Sequence, residues 1–153
     1  MGYRIDMAIQ GWSEDLLTGF SDIDAQHREL FARVANLHDA AQRGDLSAAR
    51  ATLLFLEQHV LTHFSDEERR MRAAGYPRLA EHVAEHEAFV RDFLRKKAEY
   101  EVDPSLVLLV AELSQWLDAW LHNHVCTTDA DMARYLRATR EPRSAAPPQR
   151  LVH

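Results

Sequence analysis

Five histidines and two carboxylates stand at helix-compatible spacings along this chain: His27, then His63 with Glu67, then His82 with His86, and finally His124 with Asp129. Residues four apart on an α-helix project from one face, so His63 with Glu67, and His82 with His86, each form a chelating pair. Each histidine falls in an apolar stripe that should be core, where an unpartnered polar group costs on the order of a few kcal/mol. Ligation removes that cost. A lone histidine on an apolar face is more often a hydrogen-bonded core residue, and nine histidines produce chance pairs. Seven donors distributed over four amphipathic segments are instead what a helical bundle needs to wrap a pair of metal ions in its core.

The surrounding pattern predicts an all-α fold, an antiparallel up-down-up-down four-helix bundle with an N-terminal extended arm and a short C-terminal helix. The first helix is expected to open at Ser21, with Asp24 completing a capping box, to turn Ile23, His27, Leu30, Val34, Leu37 and Ala41 inward, and to stop at Gly44. The second begins near Asp45 or Ser47, buries Leu53, Leu56, Val60, His63, Glu67 and Met71, and ends at Gly75. Pro77 suits the first turn of the third, whose inward set is Leu79, His82, His86, Phe89, Phe93 and Tyr100. The fourth starts at Asp103-Pro104 and presents Val110, Leu113, Leu117, Trp120 and His124. The expected organisation is an arm over 1–20 that carries Trp12 and Phe20 across the bundle, the bundle over 21–140, and a flexible tail over 141–153. A short last helix is expected from Ala130 to Leu136.

At 153 residues and 46% apolar composition, a single domain is expected. Its 18 basic and 24 acidic residues are interspersed, which gives no reason to expect nucleic acid as a partner. The longest apolar run, around Leu106 to Leu113, is too short for a bilayer and is broken by Glu112, so no membrane insertion is expected. One cysteine and no signal-peptide pattern point to a cytoplasmic protein.

The motifs Trp12-Ser13-Glu14, Asp24-Ala25-Gln26-His27, His63-Phe64-Ser65-Asp66-Glu67-Glu68, His82, His86, Trp120-Leu121-His122-Asn123-His124 and Asp129 together resemble the hemerythrin family, in particular its single-domain bacterial members. The resemblance spans about residues 10 to 137. It implies two iron ions in an oxo- or hydroxo-bridged diiron centre. By motif, His82, His86 and His124 would sit on one iron, His27 and His63 on the other, and Glu67 and Asp129 would bridge. Two octahedral ions offer twelve positions, and these donors with one bridging oxygen fill eleven, leaving one open on the iron with two histidines. Nitrogen and oxygen donors alone also suit manganese or zinc; iron comes from the resemblance. The histidine-rich set favours reversible dioxygen binding over oxygenation. The implied function is oxygen storage or delivery to an oxygen-requiring enzyme by a non-enzymatic carrier, expected to be a monomer. An oxygen or redox sensor, and a diiron peroxidase or nitric oxide reductase, remain alternatives.

Three finer expectations follow. His124 and Asp129 are five apart and about 140° out of register on a regular helix, which predicts a π-type bulge, a tightened turn or a helix end between Val125 and Asp129. Leu30, Phe31, Met71, Trp120, Leu121 and Val125, all within a turn of a donor, are expected to form an apolar lid over the oxygen pocket. Among the remaining histidines, His122 should face solvent, His59 should be partly buried, and His38 lies too far from His27 to share its metals; Cys126 should be a small packing residue.

Overall fold

A computed structural model describes residues 9–103 and 107–140. Four long helices carry the fold: α1 (Ser21–Arg43), α2 (Leu46–Ala74), α3 (Leu79–Val102) and α4 (Val107–His124). From α4 the chain continues through a five-residue π-helical segment, Val125–Asp129, into α5 (Ala130–Arg140). No strand occurs among the described residues. Short connections force consecutive helices to run antiparallel, and α1 packs most extensively against α2 and α4. Within the arm, Glu14–Leu16 form one turn of 3-10 helix. The start of the fourth helix near Pro104 and the tail from residue 141 lie outside the described residues.

The stops are set by glycine. Gly44 and Gly75 adopt left-handed φ values of 68° and 66°, where a side chain would be strained, and their amides close back onto the last turns of α1 and α2. Asp45 caps α2 by accepting the Ala48 N–H at 3.0 Å. Two expected starts are corrected. Ser21 and Asp24 do not form a capping box; Phe20 is the cap residue, and the buried Asp24 carboxylate instead accepts the Thr18 N–H and hydroxyl, both at 2.8 Å. The preceding loop therefore supplies the partner that a local pattern assigned to Ser21. Pro77 lies outside α3, in a turn closed by Leu79 N–H on the Tyr76 carbonyl at 3.2 Å, where its fixed φ suits the bend.

The arm and α5 are tied to the bundle by polar contacts. The buried Asp118 carboxylate on α4 accepts the Gln10 and Gly11 amides at 2.7 and 3.0 Å, and the Arg28 guanidinium lies 4.4 Å over the Trp12 ring. Tyr135 of α5 donates to the Ala74 carbonyl at 3.1 Å, satisfying an acceptor at the end of α2, and Arg137 donates to the Thr18 carbonyl.

The apolar core divides into two clusters. The larger holds Leu30, Val34, Leu37, Leu53, Leu56, Phe64, Phe89, Phe93, Leu117 and Leu121 among others; the smaller holds Phe20, Ile23, Met71, Tyr76, Met132, Ala133 and Leu136. Along α1 the order is Ile23, His27, Leu30; along α2 it is Phe64, Glu67, Met71. Polar donors thus occupy a layer between the two clusters.

Candidate metal centre

All seven donors converge. His27 and His63 with Glu67 and Asp129 form one group, and His82, His86 and His124 with the same Glu67 and Asp129 form a second. All seven residues are buried, Glu67 and Asp129 fully. Each carboxylate divides its oxygens between the groups. Glu67 Oε1 lies 3.3 Å from His27 Nε2 and 2.9 Å from His63 Nε2, while its Oε2 lies 3.4 Å from His82 Nε2 and 3.3 Å from His86 Nε2. Asp129 Oδ2 lies 3.1 Å from His27 Nε2, and its Oδ1 lies 3.0 and 3.1 Å from His82 and His124 Nε2.

The π segment is what brings Asp129 into this layer. In α geometry a residue five beyond His124 would point elsewhere; i→i+5 bonding through Val125–Asp129 returns it to the His124 face.

Distance and satisfaction both fit cations. Neighbouring ligands at right angles on an ion with bonds of about 2.1 Å lie about 3.0 Å apart, close to the spacings above. Glu67 Oε2, both Asp129 oxygens and His82 Nε2 are buried without a hydrogen-bond partner. Such atoms are costly unless something positive sits among them.

The electrostatics agree. Burial opposes a charged His27, but the Asp129 and Glu67 carboxylates outweigh it and raise the imidazole to about 9; the same balance raises His82 to about 9 and His124 above its ordinary value. Burial likewise opposes the Glu67 carboxylate, yet His63 and His27 hold it well below the usual range. Asp129 is lowered against both burial and repulsion from Glu67, chiefly by His124 and His27. Two ionised carboxylates at the centre demand positive charge, so protons and metal ions compete for the same place.

The outer edges of three imidazoles are held by residues for which spacing had suggested no role. His63 Nδ1 pairs with Gln26 Oε1 at 2.7 Å, His86 Nδ1 with Glu68 Oε1 at 3.0 Å, and His124 Nδ1 with Glu85 Oε2 at 2.8 Å. Gln26 and Glu68 each adjoin a donor in sequence, and Glu85 adjoins His86. An apolar period cannot reveal such neighbours, because they sit at the edge of the buried stripe.

The expected lid is partly rearranged. Leu30, Phe31, Leu121 and Val125 belong to the larger cluster, with Trp120 partly buried against it and stacked on His124 at 4.4 Å between ring centres. Met71 does not join them; it packs with Ile23 and Met132 on the other side of the donor layer. The reason is chain direction. One turn beyond His27 on α1 and one turn beyond Glu67 on α2 lead opposite ways, because the helices are antiparallel. Phe64, one turn before Glu67, takes the place on that side, stacked on His86 at 3.7 Å and 5° and edge-on to Phe89 at 5.6 Å.

Histidines outside the layer have other partners. His38 Nδ1 pairs with Ser114 Oγ at 3.2 Å, His59 is partly buried and stacks on Phe55 at 5.1 Å, and His122 is partly exposed. Cys126 is exposed rather than packed, because it lies on the outer face of the π segment.

A bundle with imidazoles and carboxylates gathered from four helices into one buried layer defines a class, the helical metal-binding bundles. Comparison with known proteins specifies it further. The hemerythrin HHE cation binding domain matches residues 18–136. The bacteriohemerythrin of Pseudomonas aeruginosa is 33% identical over 138 residues, covering 90% of this chain and 86% of that relative. That of Methylococcus capsulatus is 33% identical over 129 residues, covering 80% and 93%. A solved hemerythrin variant superposes with a TM-score of 0.76 at 28% identity, covering 85% of this chain and 98% of that one. The chain belongs to the hemerythrin family. No helix among the described residues is long and apolar enough to cross a membrane.

Proposed function

We propose that the protein binds dioxygen reversibly at a diiron centre held by His27, His63, Glu67, His82, His86, His124 and Asp129, and serves as an oxygen store or carrier rather than an enzyme. The observation that carries the reading is the sharing of Glu67 and Asp129 between the two donor groups, each carboxylate offering one oxygen to either side. Two ions held by these residues would share both carboxylates and so would be coupled as one two-electron unit. When bound, iron supplies the electrons and the binding position for dioxygen.

The protein's own residues do the rest. His82, His86 and His124 would hold one ion and His27 and His63 the other, so that the second has one protein donor fewer. Phe64, Leu30, Phe31, Leu121 and Val125 belong to the apolar cluster on one side of the layer, which would keep water and anions away from it. Imidazoles, which are neutral when they hold a metal, outnumber carboxylates five to two, which limits the anionic charge that would favour oxygen cleavage.

The test is iron analysis with optical spectra of the iron-loaded, reduced protein, recorded before air, after air and after oxygen removal. Two irons per chain and a spectrum that returns on degassing support the reading. Irreversible oxidation, or a single iron per chain, would overturn it.

A further inference from the structure

We infer that the residues behind the histidines make the His82–His86–His124 group the tighter and first-filled of the two metal positions, with Glu68 and Glu85 as its positioning residues. The inference rests on the two-metal reading above.

The two sides of the layer are backed differently. His86 Nδ1 and His124 Nδ1 face ionisable carboxylates, Glu68 at 3.0 Å and Glu85 at 2.8 Å. A carboxylate only accepts, so each Nδ1 carries the proton and each Nε2, aimed into the donor layer, is the nitrogen left to hold a metal ion. His63 faces a neutral amide. The Gln26 Nε2 donates to Asp66 at 2.9 Å, which fixes the amide so that its oxygen, 2.7 Å away, accepts from His63 Nδ1. The remaining two imidazoles, His27 and His82, have buried Nδ1 atoms without partners, and one falls in each group, so they do not discriminate.

A charged acceptor strengthens the Nδ1–H bond and raises the basicity of the opposite nitrogen more than a neutral amide does. Two of three imidazoles in one group gain this push and neither of two in the other. Glu68 should exert the larger effect, its side chain being 20% exposed against 50% for Glu85, whose charge water screens more. Glu85 compensates geometrically: the same Oε2 accepts the Thr128 hydroxyl at 2.9 Å, tying His124 to the residue just before the shared ligand Asp129.

Cobalt(II) titration of the full-length metal-free protein, followed anaerobically by calorimetry and absorption, tests this directly. Glu68→Gln and Glu85→Gln keep an acceptor oxygen and remove the charge. Each should weaken the first ion by about 10- to 100-fold while leaving the second within about threefold, the size typical of losing such a partner. Gln26→Ala should weaken the second ion alone. Glu81→Gln, on the surface beside Arg78, should change neither. Equal weakening of both ions by Glu68→Gln, or no weakening by either carboxylate variant, would overturn the inference. Parent protein that takes up fewer than two cobalt ions would instead overturn the two-metal reading, whatever the variants do.

Discussion

Raising the pH should destabilise the metal-free bundle across a window in which most proteins change little. His27 and His82 rise from 6.5 to about 9 in the folded chain because the Asp129 and Glu67 carboxylates overcome burial. The folded state therefore holds protons that the unfolded chain has already released above 6.5. Their contribution is complete below 6.5 and is lost as pH passes 9. For either imidazole the change corresponds to about 3 kcal/mol. Both face the same two carboxylates, so the contributions overlap, and about 3 kcal/mol is the expectation for the pair. With a urea dependence of about 1–3 kcal/mol per molar, the denaturation midpoint should fall by about 1–3 M between pH 6.5 and 9.5. Urea melts of metal-free protein at intervals across that range, paired with metal-loaded protein, supply the measurement. The loaded form should lack the slope, because coordinated imidazoles carry no proton on Nε2. A midpoint that stays flat or rises in the metal-free protein would refute the argument that the carboxylate pair holds protons in its cage.

Four substitutions and one deletion probe other parts of the site. His82→Ala should lose iron while His122→Ala retains it, and equal loss by metal analysis would contradict the ligand set. Phe64→Ala and Met71→Ala should each lower stability, by about 3–5 and 2–5 kcal/mol in chemical denaturation, but only the first should shorten the lifetime of the oxygenated form. Equal lifetimes would remove Phe64 from the pocket wall. Deleting Cys126 should straighten Val125–Asp129 into α-helix and leave iron content near that of the parent, since four residues in α geometry return to the same face as five in π geometry; loss of iron on deletion would show that the bulge does more than restore register.

The helices were legible because their information is local. Gly44 and Gly75 end α1 and α2 where an αL residue was needed, and the apolar period marked the buried faces. The start of α1 was less legible because Asp24 bonds to Thr18, six residues back, outside the four-residue window that defines a capping box. The convergence of the seven donors was legible for a different reason: in a core, each was unfavourable alone and consistent only with the others. Met71 clusters apart from the other residues expected in the lid, because proximity along one helix says nothing of direction relative to its antiparallel neighbour.

The same distinction explains why the outer partners stayed hidden while the π segment did not. The segment was forced by a contradiction within one helix, since His124 and Asp129 had to share a face that regular geometry denied them. Gln26, Glu68 and Glu85 involve no contradiction. Each sits beside a donor at the margin of the stripe, where a solvated polar residue is the ordinary expectation, and each becomes significant only when a ring from another helix turns its Nδ1 toward it. Donors can be read from a pattern because burial makes them anomalous. The residues that pair with those donors' outer edges keep part of their surface in water, satisfy every local rule, and are found only through the geometry of the pairs they make.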